Sequence, residues 1–182
     1  MIKPSIAFAA IALGATPATP LSAQEAQNDA RAYLDRIAAI DDAGPELNAV
    51  IAVNRNAPDE ARVAEAAGLP LAGRTVLVKD NIETRELPTT AGSLALAGNN
   101  TGRDAPLIAN LRAAGGVVLG KANLSEWANI RDFRSTSGWS AVGGLTRNPH
   151  AIDRNTCGSS SGSGAAGAAA RLRDQRRVGM FA

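Results

Sequence analysis

The sequence predicts an α/β protein, and three stretches carry that prediction. TVLV at 75–78 is a near-continuous run of β-formers, apolar on both faces, as strands covered on both sides are. Residues 105–114 form a helical segment closed by Gly115-Gly116. VVLGK at 117–121 is a second β-rich run. Strand, helix, glycine turn and strand in that order is the grammar of a βαβ unit in a largely parallel sheet flanked by helices.

Ahead of that unit, Ala30, Tyr33, Leu34, Ile37 and Ile40 recur at helical spacing, with Arg31, Asp35 and Arg36 elsewhere. The spacing predicts an amphipathic helix over 28–40 that stops near Gly44-Pro45. LNAVIAV at 47–53 is short, apolar and β-branched, and reads as a strand. A second helix is expected over 58–67, with Gly68 just past its end. Within the βαβ unit, Asp104 is placed as the N-cap of the 105–114 helix. NLSEWAN at 123–129 reads as a short helix. From 132 to 156 a loop is expected, because Gly138, Gly143, Gly144 and Pro149 break any period. No internal repeat is visible, and 182 residues make one domain or part of a larger one.

The N-terminus predicts an export signal. Met1-Ile2-Lys3 gives a positive start, residues 6–15 an apolar run, and residues 16–23 a small-residue segment ending Leu21-Ser22-Ala23. Cleavage is expected after Ala23, and with it a periplasmic or extracellular protein. The competing reading, a buried helix, runs against Pro20. No other stretch is long and apolar enough to span a bilayer, so no stable membrane insertion is expected after cleavage.

Composition bounds the rest. Aromatic residues make up 3% of the chain, so the core must come from Ala, Leu, Ile and Val. The single Cys157 allows no internal disulfide. His150, the one histidine, has no second histidine or cysteine pair to complete a structural zinc site, so no metal is expected. The net charge of +2 hides an asymmetry: residues 171–182 hold four arginines against Asp174, a local +3, and the remainder sums to −1. The body of the protein therefore carries no signature of nucleic-acid binding.

Two places could carry chemistry. Lys79 ends a buried-looking strand and is followed by Asp80 and Asn81. A solvated strand-end lysine is the plain reading. A desolvated one loses its proton more readily and can act as a base, and strand ends are where α/β proteins place such groups. The second is CGSSSGSGAAGAAA at 157–170. It can be a Gly/Ser linker. It can also be a hydroxyl-bearing loop at a helix start, where unpaired N–H groups and the helix dipole suit a proton relay or an anionic intermediate. The residues alone leave both open.

GRTVLVKDNIE at 73–83, TTAGSLAL at 89–96, DAPLIANLRAAGGVVLGKANLSEWAN at 104–129 and CGSSSGSGAAGAAA at 157–170, in that order, resemble the amidase signature family from about residue 71 onward. The segments SLALAG and NLSEWAN, with the export signal, look most like its bacterial peptide amidase branch, and the cytosolic amidotransferase A subunit looks more distant. The resemblance implies the N-terminal part of the amidase signature fold over 71–170, preceded by a helical segment over 24–70. It implies hydrolysis of a linear or C-terminal carboxamide, free or in a peptide, to acid and ammonia with no cofactor. It also implies a Ser–cisSer–Lys triad, one of the Ser-Lys variants of triad logic. Lys79 matches the base and Ser159 the bridging serine, with the cis bond between Gly158 and Ser159, and Ser160 follows in the same loop. Asp80 and Asn81 are read as braces for the lysine strand. Ser125 and Trp127 are read as packing residues, with support of the cleft as the alternative. GWSAVGG at 138–144 resembles the family's loop near the cleft.

The chain departs from the family in two ways. Cys157 stands where glycine is usual, and as a nucleophile it lacks a visible thiolate-stabilising partner. The family's attacking serine lies about two dozen residues after the bridging one, which falls just past Ala182, and RLRDQRRVGMFA at 171–182 does not read as the apolar strand expected there. A frameshift near codon 172 is the expectation, with a product that folds poorly and is inactive. The alternative is a non-catalytic exported fragment that binds acidic surfaces through its basic tail and releases them steeply with salt. An amidotransferase A-type subunit is a lesser alternative.

Overall fold

The computed structural model describes residues 24–171. The expected signal segment, 1–23, and the basic tail from 172 to 182 lie outside the described residues.

The chain opens with α1 (Glu25–Ile40), β1 (Val50–Val53) and α2 (Ala57–Ala66). β2 (Thr75–Lys79), α3 (Pro106–Ala113) and β3 (Val117–Ala122) form the expected βαβ unit. The sheet order is β1-β3-β2. β2 runs parallel to β3, from Thr75 opposite Val117 to Lys79 opposite Ala122. β1 runs antiparallel on the other side, with Ala52 opposite Lys121. The result is a mixed sheet with helices packed on it, as the α/β reading requires.

β3 is the central strand and all six of its residues are buried, which is why a run of six nearly apolar residues sits there. β2 differs from the expected two-sided burial. Val76 and Val78 are buried against Ile108 of α3, whereas Thr75, Leu77 and Lys79 on the other face are half-buried. A cavity of about 470 Å³ explains the difference, since Thr75 and Leu77 line it together with α1 and the end of α4 (Ser161–Arg171). On that side of the sheet, Ala30 of α1 and Ala57 and Ala61 of α2 pack on Val117 and Leu119. Ala165 and Ala169 of α4 pack on Leu47, Ala49 and Val50. The core is small and aliphatic, as the composition demands.

Several elements depart from expectation, each for a local reason. α1 begins at Glu25 rather than 28, and Gln27 is tied to Asp59 of α2 by a 2.9 Å bond. β1 starts at Val50 because the Asp41 carboxylate takes the Ala49 and Val50 N–H groups, at 2.7 and 2.9 Å, before the ladder begins. Asp104 does not cap α3. Ala105 is the N-cap, without a side-chain bond, and Pro106 opens the helix. The Asp104 carboxylate instead receives the Arg85 N–H and Arg112 Nε, each at 3.0 Å, because a charged guanidinium outcompetes a helix-end amide.

The expected helix at 123–129 is a single 3-10 turn, Glu126–Asn129. Trp127, Ala128 and Asn129 have φ of 49°, 54° and 66°, and Trp127 N–H bonds to Ala91 O rather than back along a helix. The 132–156 stretch is not all loop. It holds two antiparallel hairpins, β4 (Trp139–Ser140) with β5 (Gly144–Leu145), and β6 (Arg147–Asn148) with β7 (Ala151–Asn155). Three of these strands have two residues each, too short for alternation to show in the sequence. Among the described residues no helix is long and apolar enough to cross a membrane.

Candidate active site

β2 delivers Lys79 to the C-terminal end of the parallel ladder, and its Nζ lies 2.8 Å from Ser159 Oγ. The two residues are 80 positions apart in the chain, so tertiary structure alone makes the pair. Burial lowers the proton affinity of Lys79 below the ordinary lysine value. The contact works in both directions. An ammonium donates to the hydroxyl, and a neutral amine accepts the hydroxyl proton.

Ser159 sits in the tight segment that precedes α4, and the Gly158–Ser159 peptide bond is cis. Its carbonyl accepts the Ser125 N–H at 3.0 Å. Ser125 is fully buried, and its Oγ accepts the Gly138 N–H at 2.8 Å. A Cβ added at Gly158 would run into that same Ser125 Oγ, so this position requires glycine. Ser125 thus holds the 157–159 segment to the GWS loop. One turn on, a Cβ at Gly162 would meet the Ala49 carbonyl and the Asn123 backbone, and Gly162 N–H bonds to Asn123 O at 2.9 Å. The glycines of the Gly/Ser run therefore let a helix start press onto the ends of β1 and β3. The linker reading does not account for these contacts.

The remaining expected residues divide. Ser160 is half-buried, and its carbonyl accepts the Gly164 N–H at 3.1 Å in the first turn of α4. Asp80 is fully buried, its Oδ2 accepting both the N–H and the hydroxyl of Thr90. Asn81 is exposed, and no side-chain hydrogen bond of it is found among the described residues. Trp127 is half-buried. Cys157 and His150 are exposed, and Cys157 has a φ of 58° with its N–H on Asn155 Oδ1. The Ser161 and Ser163 hydroxyls are buried without a partner among the described residues. Among those residues no cluster of three or more His, Cys, Asp and Glu side chains could hold a metal ion.

The sequence reading missed Lys121. It is 0% exposed, at the end of β3, and its ammonium donates to Ile82 O at 3.0 Å, Pro88 O at 3.1 Å and Thr89 Oγ1 at 2.8 Å. Asp80 Oδ1 lies 3.0 Å from the same nitrogen, and the two form a fully buried ion pair. The signal that could have found Lys121 is a charge inside a run otherwise buried on both faces.

A burial-tuned amine in contact with a hydroxyl, on the strand end of an α/β layer and at the start of a helix, defines a site able to move a proton off a hydroxyl. The chain belongs to the amidase family, whose model matches residues 30–172. It resembles the crystal structure of native peptide amidase from Stenotrophomonas maltophilia, with 50% identity and a TM-score of 0.73 over 78% of this chain and 30% of that one. An amidase family protein from Bacillus anthracis gives 41% identity and a TM-score of 0.70 over 79% of this chain and 29% of that one. The A subunit of the glutamyl-tRNA(Gln) amidotransferase from Thermus thermophilus is 44% identical over 140 residues, 77% of this chain and 28% of that protein. The chain spans 20–28% of the length of the curated relatives it matches.

Proposed function

We propose that this chain carries the base and relay of an amidase that hydrolyses linear or C-terminal carboxamides to acid and ammonia. The observation that carries the reading is the Lys79 Nζ to Ser159 Oγ contact of 2.8 Å. Neutral Lys79 takes the Ser159 proton, and Ser159 takes the proton of an attacking hydroxyl. That hydroxyl adds to the amide carbonyl. The tetrahedral adduct collapses to an acyl-enzyme, with the proton passed back through Ser159 to the departing ammonia. Water, activated by the same pair, then releases the acid. The attacking serine that the family resemblance implies falls outside the described residues. Likeness to a peptide amidase supports a peptide amide as substrate. Within the same proposal the protein is exported, through cleavage after Ala23.

The test has two arms. One arm extends residues 24–171 with the continuation that a full-length amidase relative carries. A protein carrying that continuation is expected to release ammonia from a peptide amide. Lys79→Ala or Ser159→Ala is expected to reduce this by about three orders of magnitude or more. Turnover indifferent to both substitutions would remove the triad.

A further inference from the structure

We propose that Lys121 is a charge-balancing positioning residue for Lys79: its buried ammonium neutralises Asp80, so the strand end that presents the Lys79 amine carries no bare negative charge. The proposal rests on the reading of Lys79 as a base.

Three charged groups meet at the ends of two adjacent parallel strands. Asp80 directly follows Lys79, and Lys121 lies opposite Val78, one register position from Lys79. Asp80 and Lys121 are each 0% exposed. Successive strand residues point to opposite faces, so Lys79 reaches Ser159 on one side while Asp80 and Lys121 meet on the other. A poorly solvated carboxylate one residue from an amine favours the ammonium form, and an ammonium cannot take a proton from Ser159. Lys121 places the opposite charge 3.0 Å from Asp80.

The other charges near this strand end are already engaged. Glu83 is paired with Arg103 at 2.9 Å, and Glu86 with Arg112 at 2.6 Å. Glu126 accepts the Ala141 N–H at 2.9 Å. The facing 157–163 segment contributes the exposed Cys157 thiol and otherwise glycines and serine hydroxyls. Asp80 and Lys121 are therefore the two charges at this strand end that face each other, fully buried, at 3.0 Å.

A purely mechanical brace and a charge balance predict different signs. If the pair only holds the loop, losing either member loosens the strand end and moves Lys79 the same way. If it balances charge, Asp80→Asn leaves a bare cation and pulls the Lys79 midpoint down, whereas Lys121→Met leaves a bare anion and pushes it up. The chain has only three lysines, at 3, 79 and 121, so side-chain NMR of the isotope-labelled 182-residue protein resolves them, with Lys79→Arg as the assignment control.

We expect Lys121→Met to raise the Lys79 midpoint by about half a pH unit or more, Asp80→Asn to lower it by a similar amount, and the double variant to restore it. Shifts of one sign in both single variants, or none, overturn the proposal. If Lys121→Met does not fold, Asp80→Asn and the double variant decide: failure of the first to lower the midpoint, or of the second to restore it, overturns it equally. The readout is a titration, so it can fail while Lys79 remains essential for turnover, and it can succeed when Lys79 is not.

Discussion

Lys79 is the last residue of β2 and Lys121 the next-to-last of β3, its parallel neighbour, yet one amine is tied down on all sides and the other is not. Lys121 gives its three N–H groups to two carbonyls and a hydroxyl and faces a carboxylate at 3.0 Å. Lys79 is half-buried, and its one hydrogen bond among the described residues is with Ser159 Oγ. Burial lowers the proton affinity of both, but at Lys121 the Asp80 charge opposes it and at Lys79 nothing does. Burial by itself therefore does not mark a reactive lysine. An amine saturated with acceptors is a rivet, and an amine left one hydroxyl is free to exchange its proton with it.

The largest effect that would break this contrast is on stability. Lys121→Met leaves the Asp80 carboxylate buried without its counter-charge, and truncating one member of a buried pair costs about 3–5 kcal/mol. Urea unfolding should show the loss as a lower midpoint at unchanged slope. A smaller effect is expected at the other strand end. Gly158→Ala puts a Cβ onto Ser125 Oγ, an overpacking expected to cost about 1–3 kcal/mol. It should shift the Lys79 side-chain resonance as Ser159 is displaced and leave that of Lys121 in place. Movement of both resonances would mean that the two sites are one mechanical unit. Lys79→Met should be nearly silent, within about 1 kcal/mol of the parent, since it removes a single hydrogen bond from a half-buried amine.

The same contrast explains what the sequence made legible. Lys79 could be found because the residues around it form an ordered set of motifs, and the Gly158–Ser159 segment because a glycine–serine run meets a helix start. The frame around them was readable too, since a six-residue buried strand and a helix closed by Gly115-Gly116 leave strong periodic signals. Lys121 was not readable as a rivet. Its partners are two backbone carbonyls, a threonine and Asp80, 32 to 41 residues away, and none of them is marked by local pattern. The Asp104 cap failed for a related reason: a tertiary guanidinium claimed the carboxylate that local spacing assigned to a helix end. The first hairpin after residue 138 is held by Asn123, which donates to Asn48 O, Gly144 O and Thr146 Oγ1 and accepts from Ser140 Oγ, a network no linear period reveals.

The smallest expected effect is the one most specific to Lys79. Burial puts its folded-state midpoint below the ordinary 10.5 that the unfolded chain keeps. Between those two values the unfolded chain holds a proton that the folded chain has released. Stability therefore rises with pH across that window. Below the folded midpoint both states are protonated and the full cost of burying the ammonium is present; above about pH 10.5 both are neutral and the gain is complete. Lys121 contributes with the same sign, but it is common to the parent and to Lys79→Met. The difference between the two proteins isolates Lys79. Urea midpoints measured from about pH 8 upward should climb more steeply in the parent than in Lys79→Met. Parallel curves would mean that the Lys79 amine titrates as it does in water, and an amine that titrates as in water cannot be the one poised to take a proton from Ser159 near neutral pH.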